Sequence, residues 1–388
     1  MATGKEFWKF GRCEMRTNVA GIEIDNPIVI ASGPWTRGRH RLEKALSLGA
    51  GAIVTESIVS ESYPDLIPRY DYDIQSRGIE NIRLYSGADL ETWIADLEYV
   101  NENSRFGSNT KLIASVMGSS PSELAYLAKK IEKTGVDGIE LGIACPMGEG
   151  AEIIAGVPAK VSEYVEAVVS AVDLPVSVKL SAATGNLPLI VKRCVRAGAS
   201  GISGIDTLRS ILSIDIESGR PGLSTYGGYS GAPIRPIGLS AVAGMAQTTS
   251  LPIMGIGGVG CAENVIEYIM AGAASVGIGS QILIDGYEVV SEVIKETEEW
   301  FISHNVESVD DIRGSALRYL RSFDEIKMVD RHSRVEGKCA DAVCLKCIRG
   351  CLDGAISFDN VIKIDESKCS GCGLCISKCP EQKLKLMW

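Results

Sequence analysis

The stretch Gly138-Ile139-Glu140-Leu141-Gly142-Ile143-Ala144-Cys145-Pro146-Met147-Gly148-Glu149-Gly150 decides how the chain is read. An apolar, β-rich run stops at Ala144, a cysteine-proline pair opens a loop, and glycines follow at 148, 150 and 156. In a (β/α)8 barrel the side chains that do chemistry sit at the carboxyl ends of the strands, so a thiol at this junction is a candidate acid or base. A buried structural cysteine is the competing reading, because free cysteine packs as a small apolar residue.

The same form recurs on both sides of this stretch. Short apolar runs at 28–33, 52–57, 111–116, 138–143, 176–181, 201–206, 253–258 and 275–280 are each followed by a helix-like segment. Runs apolar on both faces, ending in small or polar residues, are expected of parallel strands covered by helices. The chain therefore reads as an α/β protein, a TIM barrel, with amphipathic helices at 39–48, 122–134, 160–172, 238–248 and 285–303. Two connections, 58–88 and 207–236, are too long for simple turns, and long loops in compact domains are usually functional. A small helix at 310–320 and a charged linker close this part, giving a barrel domain over 1–325, a linker over 326–337 and a second domain over 338–388.

At 388 residues and 41.4 kDa the chain has room for one barrel and a small appendage. A net charge of -10 disfavours a nucleic-acid partner, since such binding rests on Lys and Arg neutralising phosphates. No apolar run reaches the length of a membrane span, and a cytoplasmic protein is expected. Eight of the twelve cysteines lie between Cys339 and Cys379 at ligand-like spacings, which points to metal ligation in a reducing compartment.

Cys369, Cys372, Cys375 and Cys379-Pro380 follow the ferredoxin run C-x-x-C-x-x-C-x-x-x-C-P at every position. The first motif, Cys339, Cys344, Cys347 and Cys351, has two extra residues before its second cysteine and lacks the proline. In such paired motifs the fourth cysteine crosses to the other cluster. Cys339, Cys344, Cys347 and Cys379 would then hold one [4Fe-4S] cluster, and Cys369, Cys372, Cys375 and Cys351 the other. Zinc sites, or a single cluster with a degenerate first motif, are the alternatives. Clusters pass one electron at a time, so the tail reads as a ferredoxin-like electron conduit.

Glycines ending the last two strand-like runs, at 255–258 and 277–279, suit a phosphate held by loop amides, because the backbone must approach it closely. At this point the chain resembles the dihydroorotate dehydrogenase family, and most closely the flavin-and-ferredoxin part of dihydropyrimidine dehydrogenase. The resemblance rests on NPIVIASG (26–33), GIELGIACPMG (138–148), VKL (178–180), TYGGYSGAPIRPIGL (225–239), GIGGV (255–259) and the cysteine tail, in the same order. It implies a barrel binding FMN, with Ala31, Ser32 and Gly33 lining the flavin and Lys179 near its pyrimidine edge. Gly231, Gly257, Gly258, Gly279 and Ser280 would hold the phosphate, and Cys145 would exchange a proton with a substrate carbon. A cation at the Lys179 position also has its own reason, since it stabilises the anionic reduced flavin. A lysine whose stem packs while its ammonium reaches water is the alternative.

The substrate positions depart from the family. Glu56 stands where a lysine is usual, Gly142 where an asparagine is, Met147 where asparagine or histidine follows the proline, and Asp206-Thr207 replaces an asparagine-hydroxyl pair. Asn81 matches a substrate-loop asparagine, with Arg83 close by. Losing amide pairs from a polar site costs large factors in recognition, so an altered substrate is expected. Two new carboxylates, Glu56 and Asp206, would favour a ligand with positive charge or several N-H donors, unless they pair with nearby Lys or Arg. Arg83 could hold a carboxylate at the ligand's other end.

The expected function is therefore a flavoenzyme acting on a CH-CH bond beside an electron-withdrawing group, in a homo- or hetero-oligomer. With no strand-GxGxxG-helix unit for NAD, its electrons would leave through the clusters to a flavoprotein subunit or a ferredoxin. A tRNA-dihydrouridine synthase-like flavoenzyme and a non-catalytic electron-transfer subunit are the alternatives.

Overall fold

Eight parallel strands close on themselves in chain order: Ile28–Ile30, Ala52–Val54, Lys111–Val116, Gly138–Leu141, Val176–Leu180, Gly201–Gly204, Ile253–Ile256 and Ser275–Ile278. The last pairs with the first, Val276 opposite Ile28. The computed structural model describes residues 14–62, 67–83, 85–105, 107–143, 154–326, 331–337, 339 and 344–386. The chain divides into two compact units, Met1–Leu320 and Arg321–Trp388.

All eight strands fall where the apolar runs place them, but most stop two or three residues short of the run. Ala31–Gly33, Thr55–Ser57, Ser181, Ile205–Asp206, Gly257–Gly258 and Gly279–Ser280 leave the ladder and form the rim. The reason is geometric. A strand buried on both faces must turn outward to reach its covering helix, and the small or polar residues that close each run allow that turn.

Helices fill the intervals. Pro121–Glu132 starts behind Ser120, whose hydroxyl accepts the Glu123 N–H at 3.2 Å, with a proline in the first turn. Leu187–Arg196 starts the same way behind Asn186, which accepts the Leu189 N–H at 3.1 Å. That helix, Leu90–Tyr99 and Ala262–Met270 were not marked by the amphipathic pattern. The 310–320 helix is shorter than expected: Val309–Ile312 is helical, then Gly314 at φ +70° breaks it and a single turn, Leu317–Tyr319, follows.

The two long connections are not loops. They meet in one antiparallel sheet, ordered Leu208–Ser210, Gly227–Gly231, Gly78–Asn81 and Tyr70–Asp73, standing above the barrel's carboxyl end. Gly228 lies opposite Asn81, and Gly231 opposite Gly78. The glycine run is a packing requirement: a Cβ at Gly227 would lie 2.4 Å from the Glu80 side chain, and one at Gly228 2.4 Å from the Thr207 hydroxyl. Glu80 is buried beneath this run, accepting from Ser210 Oγ at 2.7 Å and from the Leu212 N–H at 3.0 Å. The sheet's first connection returns to the barrel at Ser86, whose N–H donates to the Ser57 carbonyl at 3.2 Å and whose hydroxyl accepts from Trp93 Nε1 at 2.9 Å.

The second unit is small. Its core gathers Cys347, Ile356, Cys375 and Leu384, with Val335, Ile348 and Ile376 packed on it. Residues 333–335, expected within a linker, instead form a strand paired with Leu384–Leu386. The charges of this segment alternate with inward positions, Ser333 buried, Arg334 exposed and Val335 half-buried, which a charge count alone conceals.

Trp93 is fully buried and ties the wall of the sheet to the barrel. Trp93→Ala is expected to cost about 3–5 kcal/mol in chemical denaturation, whereas Trp93→Phe, which mainly loses the bond to Ser86, should cost well under half of that.

Candidate active site and cysteine cage

One cleft opens at the carboxyl end of the barrel, enclosing about 1220 Å³ of space that is partly open to solvent. Ala31, Ser32 and Gly33 line it from the first strand, Lys179 from the fifth, and Gly257, Gly258, Gly279 and Ser280 from the last two. Gly231 does not line the cleft but touches its rim, since a Cβ on Gly258 would come within 2.8 Å of the Gly231 carbonyl oxygen. Gly257 at φ +127°, Gly258 at φ +67° and Gly231 at φ +95° hold conformations that side chains disfavour. Tyr268 fixes this corner, donating to the Gly257 carbonyl at 2.7 Å from below. The result is a tight backbone cradle at the N-terminal side of a helix, which fits a phosphate.

Glu56, Asn81, Arg83, Gly142, Asp206 and Thr207 line the same cleft. Cys145 and Met147 lie outside the described residues. Sequence reasoning missed Ser57, Tyr70, Tyr85 and Met117, which also line the cleft. Ser57 follows Glu56 directly and was within reach of the reading. The two tyrosines belong to the antiparallel wall and its return, which no local pattern announces.

Glu56 is not a lone anion. Its carboxylate pairs with Arg83 at 2.8 Å, with both side chains below a tenth exposed, and Arg37 lies 3.9 Å from its second oxygen. This overturns the acidic pocket expected from Glu56 and Asp206 together. Asp206 turns one oxygen back on its own backbone, accepting the Thr207 N–H at 2.7 Å. Asn81 is likewise engaged, donating to the Gly228 carbonyl at 3.1 Å and accepting the Arg83 N–H at 3.2 Å. At Gly142 a Cβ would sit 3.5 Å from Ser57 Oγ and 3.7 Å from Ser115 Oγ. The two hydroxyls are 3.2 Å apart. A methyl fits there, but a longer side chain would press on that pair, so the cleft floor is a hydroxyl corner.

Beneath Lys179, Glu140 is wholly buried and accepts the Ser203 hydroxyl at 2.7 Å. Burial pushes its carboxyl above the ordinary range, against the pull of the Lys179 charge and the Ser203 hydroxyl, while Asp206 adds to the upward push.

In the second unit Cys351, Cys369, Cys372 and Cys375 line a single small cavity, with Asp353 and Ser333 at its edge. Cys347 is buried elsewhere in this unit. Burial pushes its thiol up, and Cys379 and Cys339 act on it in the same direction as neighbouring charges. Cys344 opens the turn before the helix Lys346–Arg349. Among the described residues no three His, Cys, Asp or Glu side chains converge as the ligands of a single ion would. Four thiols around a cavity suit a cluster of irons better than one zinc.

The dihydroorotate dehydrogenase family model matches residues 14–301, most of the chain. The chain belongs to this family. It is 34% identical over 308 residues to the dihydroorotate dehydrogenase B (NAD(+)) catalytic subunit of Pyrococcus furiosus, covering 78% of this chain and 99% of that one. The protein of the same description from Methanocaldococcus jannaschii is 32% identical over 313 residues, covering 79% and 99%. A dihydroorotate dehydrogenase from Eimeria tenella, solved in complex with ferulenol, superposes with a TM-score of 0.70 at 17% identity, covering 81% of this chain and 92% of that one, and so shares the fold. A 4Fe-4S binding domain matches residues 362–382. As a family member the chain is an oxidoreductase acting on CH-CH groups, a flavoprotein with a 4Fe-4S binding motif. No helix among the described residues is long and apolar enough to cross a membrane.

The pairing of Glu56 with Arg83 gives a direct stability test. Arg83→Met strands a buried carboxylate and is expected to cost about 3–5 kcal/mol in urea unfolding, while the Glu56→Met/Arg83→Met double variant should lose clearly less.

Proposed function

We propose that this chain is the catalytic component of an FMN-dependent enzyme that oxidises or reduces a CH-CH bond beside an electron-withdrawing group. Electrons then pass singly through two [4Fe-4S] clusters to a separate partner. The observation that carries this reading is the cleft itself, where the glycine cradle, the rim of the first strand and the buried Lys179 face one space at the strands' carboxyl end.

Gly257, Gly258, Gly279 and Ser280, beside Gly231, would hold the FMN phosphate, with Ala31, Ser32 and Gly33 along the ring and Lys179 at its pyrimidine edge. When bound, the flavin supplies hydride chemistry at one substrate carbon. The thiol of Cys145 moves the proton at the neighbouring carbon, taking it in oxidation and returning it in reduction. Lys179 favours negative charge in its part of the cleft.

For the clusters, Cys351 sharing a cavity with Cys369, Cys372 and Cys375, and Cys379 acting on Cys347, support a crossed ligand assignment with Cys339 and Cys344 completing the first set. The electron partner is a second subunit carrying its own flavin or a free ferredoxin. The relatives' description as a catalytic subunit supports the former.

The cleft also narrows the substrate. A substrate carboxylate seeking Arg83 would have to displace Glu56 and leave that buried carboxylate with only the more distant Arg37, which weakens a buried ion pair. The substrate is therefore uncharged where it meets this pair. Carboxylates such as orotate or fumarate should not perturb the flavin spectrum of the wild-type protein. In Glu56→Ala the guanidinium becomes available, and orotate should bind at least about tenfold tighter. Equal orotate binding by the two proteins would refute this reading of the pocket.

Anaerobically prepared protein is expected to hold about one FMN and about eight irons per chain by flavin extraction and iron assay. Cys145→Ala should keep both cofactors and lose turnover by a factor of about 100 or more with the true substrate, leaving flavin reduction by artificial donors intact. Zinc, or about four irons, would sink the two-cluster assignment and leave the barrel reading standing.

A further inference from the structure

The segment Arg331–Ser333 lies directly on the second cysteine loop. Gly371 adopts φ +68°, and a Cβ there would come within 2.2 Å of the Arg331 carbonyl oxygen, so the two backbones touch. His332 Nδ1 is 3.0 Å from the Cys369 carbonyl oxygen. Ser333, only 3% exposed, then directs both of its donors at sulfur. Its hydroxyl is 3.0 Å from Cys375 Sγ, and its N–H donates to Cys369 Sγ at 3.5 Å. Strand pairing holds it in place, with Ser333 opposite Leu386 and Val335 opposite Leu384.

A cysteine sulfur that ligates a cluster is a thiolate and can only accept, so the Ser333 hydroxyl must donate. One-electron reduction of a [4Fe-4S] cluster adds a negative charge shared with the ligand sulfurs, and hydrogen bonds to those sulfurs are among the terms that set the potential. In a buried setting such a bond is strengthened. It favours the reduced form, because that form carries more charge on the acceptor. We propose that Ser333 is a positioning residue that raises the reduction potential of the cluster held by Cys369, Cys372 and Cys375, acting through its hydroxyl on the Cys375 sulfur. The step it tunes is the arrival and departure of one electron, with no proton transferred and no bond made. The His332 side chain and the Gly371 N–H also reach the Cys369 sulfur, while the Ala355 N–H donates to Cys351 Sγ at 3.2 Å and the Lys383 N–H to Cys379 Sγ at 3.3 Å. The hydroxyl of Ser333 is a property of the side chain and can be removed by substitution. The inference needs only the cluster of the 362–382 motif, and stands whether the chain holds one cluster or two.

The test is a redox titration of the anaerobically purified full chain, followed by electron paramagnetic resonance, with iron content measured alongside. Ser333→Ala is expected to shift one cluster midpoint negative by about 59 mV, a tenfold change in the ratio of reduced to oxidised cluster at fixed potential. The flavin midpoint and any second cluster signal should not move. Ser333→Thr and Ser333→Val form a pair of equal shape that differ by the hydroxyl: threonine should keep the wild-type midpoint and valine should follow alanine. Unchanged midpoints in alanine and valine variants that retain their iron would overturn the proposal. Loss of the cluster from both hydroxyl-free variants would also overturn it, making Ser333 a scaffold residue.

Discussion

Closure of the eight-stranded ring is the constraint on which the site depends. Once Ser275–Ile278 pairs with Ile28–Ile30, every strand has a neighbour on both sides, and no backbone edge is left to satisfy. Residues that can face a ligand are then confined to the places where strands release their hydrogen bonds. That is why Gly33, Glu56, Gly142, Asp206, Gly258 and Ser280, far apart in the chain, all line one cleft. The ring fixes their spacing, and the sequence chooses only their chemistry.

The chemistry divides the cleft in two. On one side glycines exclude side chains, so the backbone itself meets the ligand. Elsewhere in the cleft lie a buried arginine-carboxylate pair, a hydroxyl corner at Gly142 and Asp206, which accepts the Thr207 N–H. Glu56 is thus coupled to Arg83 and cannot be judged alone.

The barrel was legible because its strands are local signals: apolar runs closed by small residues, repeated eight times. The glycine corner of the cleft was legible for the same reason, since Gly257, Gly258 and Gly279 sit inside those runs. The rest depended on pairing between distant segments. Tyr70 and Tyr85 enter the cleft through a sheet built from two connections that each look irregular, and the Gly227–Gly231 strand lacks the branched side chains that mark strands. The charge of the substrate side was misjudged because sequence places Glu56 beside other strand ends and says nothing of Arg83 folding onto it. The same blindness hid the strand at Ser333, where arginine and glutamate neighbours read as a tether.

The antiparallel wall has a consequence for how the protein is made. Its central pair joins Gly78 to Gly231, so more than a third of the chain lies between the paired residues. The entropy of closing so long a loop is not recovered by a few strand contacts, and it falls steeply once the intervening barrel strands have already brought the ends together. The ring is then the template and the wall a late addition to it. Changes that suit the wall to a new ligand act after the barrel has formed, which leaves the folding nucleus free of the demands of the substrate.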